Sequence, residues 1–341
     1  MNEDYLIIDV GSGTQDILVY QSGKNIENCP KFVVPSRTQI VANEIREATR
    51  LGKEIFFYGH LMGGGACGFA LMQHIKAGLK AYATPKTALT FHDSLDKVKQ
   101  MGVKITEKAP DGALEIWMGD IDVKSFEKAL TAFEITPPQK YAVAVQDHGY
   151  SIYESNRTLR FRLWKEFVAK GGNLEELIFV QDIPTVYTRM QAIREIIPDA
   201  VVTDTGTAAI LGIMTDPQVQ KHLSEGIIAL NIGNSHALGV AVRGNRVYGI
   251  FEQHTSALDQ NSLNDLVRRF QEAVLTHEEV YDAGGHGVAL HPDMRPGWDF
   301  VAVAGPRREM AKSMGWYEVA PYGDMMLTGC FGILKGLNSV E

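Results

Sequence analysis

The sequence predicts an α/β protein made of two related lobes that face one cleft, and three observations carry that expectation. Short apolar runs with strand character alternate with helical periodicity along nearly all of the 341 residues. A strand–turn–strand segment occurs twice, Leu6–Thr14 aligning with Ile228–His236, so that Asp9 and Asn231 fall at the same place. Two stretches rich in small residues, Asp204–Gly212 before the second copy and Gly323–Gly332 near the C-terminus, suit helices that cross closely between the halves.

Strands are expected at Tyr5–Asp9, Ile17–Tyr20, Phe32–Pro35, Glu54–Tyr58, Leu114–Met118 and Tyr141–Gln146. Helices are expected at Ala66–Lys80, Leu89–Met101, Val123–Phe133, Leu159–Ala169 and Val186–Ile196, most of them bounded by Gly or Pro. Leu263, Leu266, Val267, Phe270 and Val274 recur at three- and four-residue steps, which predicts an amphipathic helix over Asp259–Leu275 with that face buried. The lobes are expected to divide at 1–203 and 204–341.

Composition narrows the function classes. A net charge of −8 and a pI near 5.7, with basic residues scattered, argue against nucleic acid. The N-terminus runs straight into a strand and no apolar run approaches ~18 residues, so a cytoplasmic protein without a membrane segment is expected. Cys29, Cys67 and Cys330 stand too far apart for a disulfide framework, a zinc ribbon or an iron–sulfur cluster, which suits a reducing compartment.

The chemistry concentrates in turns. At Asp9-Val10-Gly11-Ser12-Gly13-Thr14-Gln15-Asp16 the glycines permit a tight bend whose amides, with the hydroxyls of Ser12 and Thr14, suit phosphate oxygens. Asp9, at the strand end, repels phosphate and is therefore a candidate to hold Mg2+ through water, with Asp204 the second candidate metal carboxylate. In the second copy Gly233, Asn234, Ser235 and His236 keep the turn, but Asn231 removes the carboxylate and weakens this half as a metal site. Val301–Glu309 reads as a buried strand, Gly305 and a helix with Pro306 in its first turn, a bend that suits a flat base, with Arg307 or Arg308 to stack on it or reach a phosphate.

Asp147 and His148 end an apolar strand, where α/β sheets keep their sites, and are the candidate general bases, Asp147 first. Gly59–Ala66, with His60 and Gly64, is a glycine-rich turn into a helix that suits a substrate anion or close packing. Glu252, His254, Asp282 and His286 lie in two loops that could meet around a metal or a substrate.

Taken together, these residues resemble the superfamily of actin, sugar and acetate kinases and heat-shock chaperone ATPases. Asp9–Thr14 is similar to its first phosphate motif, Leu230–His236 to its second, Ala304–Arg307 to its adenosine motif, and Asp204–Gly212 with Gly323–Gly332 to its interlobe helices. The resemblance implies a duplicated ribonuclease H-like fold with ATP and Mg2+ between the lobes. Glu252–Thr255, Asp282–Gly287, Gly59–Gly65 and Thr84–Ala88 are similar to a domain-of-unknown-function family labelled putative pyruvate formate-lyase activating enzyme. Three readings follow: an ATP- and Mg2+-dependent phosphotransferase or ATPase whose small-molecule or protein acceptor the sequence does not name; a nucleotide-gated switch or assembly factor read by a partner protein, with an oligomer compatible; and a metal-dependent enzyme that uses His254, His286 and nearby carboxylates.

Overall fold

A computed structural model describes residues 3–340. The first sheet contains β1 (Tyr5–Val10), β2 (Thr14–Tyr20), β3 (Lys31–Pro35), β8 (Lys140–Val145) and β9 (Val201–Asp204). The last sheet contains β10 (Ile227–Ile232), β11 (His236–Arg243), β12 (Arg246–His254), β13 (Gly287–Leu290), β14 (Phe300–Ala304) and β15 (Tyr317–Glu318). Between them in sequence, β4 (Ile55–Gly59), β5 (Ala81–Ala83), β6 (Val103–Ile105) and β7 (Leu114–Met118) form a separate parallel sheet.

The first sheet runs β3-β2-β1-β8-β9 and the last β13-β12-β11-β10-β14-β15. In each, an antiparallel meander joins two parallel strands beside its first member, so the same strand order and sense occur twice. This is the duplicated ribonuclease H-like fold.

Alternation along β1 shows how the sequence builds the layers. Ile7 faces a core shared by both sheets, whereas Leu6 and Ile8 face an outer core containing Ile121, Met190 and Ile193. In the other half Ala229 joins the shared core, and Ile228 and Leu230 turn to an outer one under Leu263, Val267 and Phe270. The shared core also takes in helices Thr205–Ile213 and Thr328–Val340, both rich in small residues. They cross so closely that a Cβ on Gly212 would lie 1.8 Å from the Thr328 carbonyl oxygen, and one on Gly332 1.8 Å from that of Ala208.

Several local expectations are corrected. Helix Arg37–Arg50 and strands β5, β6 and β9 are additions, the last three because strands of three or four residues carry too little periodicity to read. The helix expected at Leu89–Met101 is a turn followed by Leu95–Gln100, where the Ser94 hydroxyl caps the start. Helix Gly65–Lys76 stops before Gly78, whose φ of 81° ends it, and leaves room for β5. Helix Gln260–Gln271 ends before Val274, which is exposed instead of on the buried face.

Among the described residues no helix is long and apolar enough to cross a membrane.

Candidate functional site

The two repeated turns meet. Ser235 Oγ donates to Ser12 Oγ at 2.8 Å, and a Cβ on Gly13 would lie 2.7 Å from Asn234 Nδ2. Each turn is held by the same bonds: Gly11 N–H donates to Thr14 O and Gly233 N–H to His236 O, both at 2.9 Å. From the strand behind, Ser36 N–H donates to Gly13 O and Thr255 N–H to Ser235 O, so the repeat extends to a pair of hydroxyl residues that sequence comparison missed. The amides of Ser12, Gly13, Asn234 and Ser235 have no acceptor among the described residues. Around them opens a cleft of about 540 Å3, lined by Asp9, Gly11, Ser12, Thr14, Asn231, Gly233, Asn234, Ser235, His236, Gly305 and Pro306 among others. Gln15 is not on this lining, because its side-chain amide is turned back to Pro35 O.

On the floor of the cleft, the hairpin register sets Asp16 directly opposite Asp9. Both Oδ1 atoms are buried and accept no hydrogen bond. Burial, then the charge of Asp16, pushes the Asp9 carboxyl up to about 8, and burial pushes Asp16 up to about 7. Such a pair fits a hard divalent cation, which would neutralise both oxygens that the protein leaves unpartnered. The motif was visible in sequence, but the acid across the hairpin was not singled out.

Gly305 has a φ of 102°, and any Cβ there would stand 2.3 Å from Ile232 O, so only glycine lets this bend close on the end of β10. Arg307 N–H completes the contact by donating to Ile232 O at 3.0 Å. The Arg307 and Arg308 side chains instead pair with Glu309 and Glu318 and are not on the cleft lining.

A buried ionic network joins the halves. Arg160, 4% exposed, meets Asp204 through Nη1 and Nη2 at 3.1 and 3.2 Å and Glu252 through Nε and Nη2 at 2.5 and 3.1 Å. Burial works against the Glu252 charge, but Arg160 and then His286 hold that carboxyl well below its usual range. Asp204 also accepts from Asp147 N–H and Gly206 N–H. Its oxygens are therefore taken, and the expectation that it binds metal is corrected: its cation is the guanidinium. Asp147 is corrected similarly as a base, since its carboxylate accepts from the amides of Gly149, Arg189 and Met190.

Beside this network lies a group of imidazoles. Ligand nitrogens of His148, His236 and His286 all fall within 4.8 Å of one another. His286 Nδ1 lies 3.1 Å from Glu252 Oε2, and His236 Nδ1 lies 3.0 Å from the Gln146 amide. Nε2 of His148 and of His236 is buried without a partner. Burial holds His236 down to about 4, and burial followed by Arg160 holds His148 well below its usual value, so both rings are neutral. His254 stacks obliquely on His236 with centroids 4.6 Å apart but does not line the cleft, and Asp282 ends a separate short helix.

The inserted sheet supplies the far wall. Gly63, Gly64, Gly65 and Thr90 line it, and Asp120 pairs with Arg189 at 2.6 and 2.8 Å while accepting from Gly63 N–H. Arg160, Arg189 and Asp120 were not singled out in sequence, because lone charges on helices and strand ends look like surface. His60 lies away from this wall, on Glu195 at 2.8 Å.

Paired hairpin turns at one cleft, each carried by the same strand order, define the class of protein as one with a duplicated ribonuclease H-like fold. Within that class it belongs to the family described as "Putative pyruvate format-lyase activating enzyme (DUF1786)", whose model matches residues 62–310. Cys29, Cys67 and Cys330 are buried, free and form no cluster among the described residues, so they provide no iron–sulfur ligand set for the chemistry in that description.

No curated protein matches the chain. Among solved structures it is similar to a PilM-PilN type IV pilus biogenesis complex, at 13% identity over 100% of both chains with a TM-score of 0.39. It is similar also to apo psk41 ParM, at 9% identity over 100% of this chain and 98% of that one, TM-score 0.35. A third likeness is to a ROK family transcriptional regulator, a homolog of the E. coli MLC protein, at 10% identity over 72% of this chain and TM-score 0.29; the chain spans 38% of that protein's length.

Proposed function

We propose that the protein is an ATP- and Mg2+-dependent phosphotransferase or ATPase. The observation that carries this reading is the meeting of the two turns, Ser235 Oγ on Ser12 Oγ, with four free amides beside them. Those amides and hydroxyls are donors gathered where the two turns meet, the kind of arrangement an anionic polyphosphate needs. Asp9 and Asp16 would hold Mg2+, which when bound supplies charge neutralisation to a transferring phosphoryl group. Gly305 and Pro306 would leave a flat, side-chain-free surface for the base. Arg189 and Asp120, locked to each other and to the Gly63 amide, would orient an acceptor on the far wall. The imidazoles of His148 and His236, unpartnered at Nε2, add two polar atoms to that side of the cleft.

The reading is tested by calorimetric titration of Mg2+–ATP into wild type and Asp9→Ala. Saturable heat in the wild type that Asp9→Ala removes is expected, and absence of heat from the wild type refutes it.

A nucleotide-gated switch read by a protein partner is the second reading, favoured by one observation: the second turn carries neutral Asn231 where the first carries Asp9. Slow turnover, below ~1 per second, together with nucleotide-dependent capture of one partner would support it, and turnover on a small acceptor at ordinary enzyme rates would exclude it.

A further inference from the structure

The imidazole group has features that phosphate binding does not require. Three rings come from separate parts of the chain: His148 follows β8, His236 begins β11, and His286 precedes β13. Their ligand nitrogens approach within 4.8 Å, and two of the Nε2 atoms, on His148 and His236, are buried with nothing to bond. Burying a polar atom without a partner is unfavourable, and two in one place call for a ligand common to both. The third ring is backed by a carboxylate, His286 Nδ1 on Glu252 Oε2, which fixes a proton on Nδ1 and leaves Nε2 as the atom that faces a ligand. Glu252 is in turn held by Arg160, so this backing group is itself immobilised.

We propose that His148, His236 and His286 bind a zinc-class divalent metal, with Glu252 as the carboxylate that orients His286. Three imidazoles with no thiolate or carboxylate in the set suit zinc and its first-row neighbours and not Mg2+, which takes oxygen. Ligands of a tetrahedral zinc stand about 3.3 Å apart for a Zn–N distance of about 2.0 Å, so the rings close further by side-chain rotation when the ion enters. Metal on His236 Nε2 places the proton on Nδ1, so the Gln146 amide, which donates to Glu252 Oε1 at 3.2 Å as well, gives up its contact with that ring. Three protein ligands leave a fourth position, and because His148 and His236 line the cleft, that position opens towards it for water or an oxygen of the acceptor. His254, a candidate ligand in the sequence, packs against the rings of His236 and His286 but is not one of the three whose ligand atoms come together. The metal site does not depend on nucleotide, and it is a separate centre from the Asp9–Asp16 pair.

The test uses the full chain without an affinity tag, stripped with a chelator and titrated with Co2+ and then Zn2+. Expected are one ion per chain, visible cobalt absorption of four- or five-coordinate character, and displacement by Zn2+. Substituting Gln for His148, His236 or His286 should weaken binding by at least tenfold, with His92→Gln, an exposed control, unchanged; circular dichroism establishes that each variant is folded. X-ray absorption on the zinc-loaded wild type, which needs no variant, should show three imidazole nitrogens. No saturable binding by wild type, an oxygen-only shell, or full affinity in the folded variants overturns the site. Titration of Mg2+–ATP on the same stripped chain separates the two claims: metal bound without nucleotide heat keeps this site and sinks the nucleotide reading, and nucleotide heat without metal does the reverse.

Discussion

The two hairpin turns share a backbone and divide their chemistry. Across the first sheet, one row reads Asp9, Asp16, Val33; across the last, the equivalent row reads Asn231, Leu238, Glu252. Both rows stand beside an alanine on the parallel neighbour, Ala144 and Ala304. The acid has moved from the first two strands to the third, and its surroundings have changed with it. Asp9 and Asp16 have oxygens without partners, whereas Glu252 is saturated by Arg160 and His286. Duplication of a frame therefore does not duplicate a site: the main chain repeats because its own hydrogen bonds define it, while each side chain is free to serve a different ion.

Breaking the saturated half should have the largest effect. Arg160→Ala leaves Asp204 and Glu252 buried without their cation, and chemical denaturation should show a loss of about 3–5 kcal/mol; a loss near zero would mean that the network is hydrated and the contrast between the rows is false. Asp9→Asn makes the first row resemble the second. Mg2+-dependent nucleotide affinity or turnover should fall roughly 100-fold, in keeping with the several kcal/mol a catalytic cation supplies, while Asn231→Ala should leave the Mg2+ dependence in place. Equal effects at Asp9 and Asn231 would erase the distinction.

The acid pair also predicts a pH signature. Asp9 and Asp16 bind protons more tightly in the folded chain, at about 8 and about 7, than at their ordinary value of 3.8. The native state then holds more protons than the unfolded chain between pH 4 and 8, approximately, so without Mg2+ stability falls as pH rises through that window. Mg2+ should raise the melting temperature more at pH 8 than at pH 5, and Asp9→Asn should flatten the difference. Smallest of all, Ser235→Ala removes only the hydroxyl bond between the turns and should cost about 1 kcal/mol in the nucleotide-free protein.

Much of this frame was legible in the residues. The repeat from Leu6 to Thr14 and from Ile228 to His236 located both turns, because a tight bend between strands demands glycine and leaves a local signature. Gly305 was legible for the same reason. The inserted sheet was not, since β5 and β6 are three residues each and Arg37–Arg50 opens with no side-chain cap bond. Asp204 and Asp147 looked like chemistry in sequence because strand-end acids often are; their partners, a guanidinium and three amides, come from segments that no local pattern connects.

By itself the sequence determined the alternation of strand and helix, the two bends and the small-residue faces that let two helices cross. Each of these depends on neighbours within a few positions, where backbone geometry and burial period act directly. Only the tertiary structure decided which polar groups are spent and which are left over. Whether Asp9 keeps an oxygen without a partner while Asp204 keeps none, and whether His148, His236 and His286 share one space, depends on distances between residues far apart in the chain, and those distances exist only after both sheets have closed on their common core.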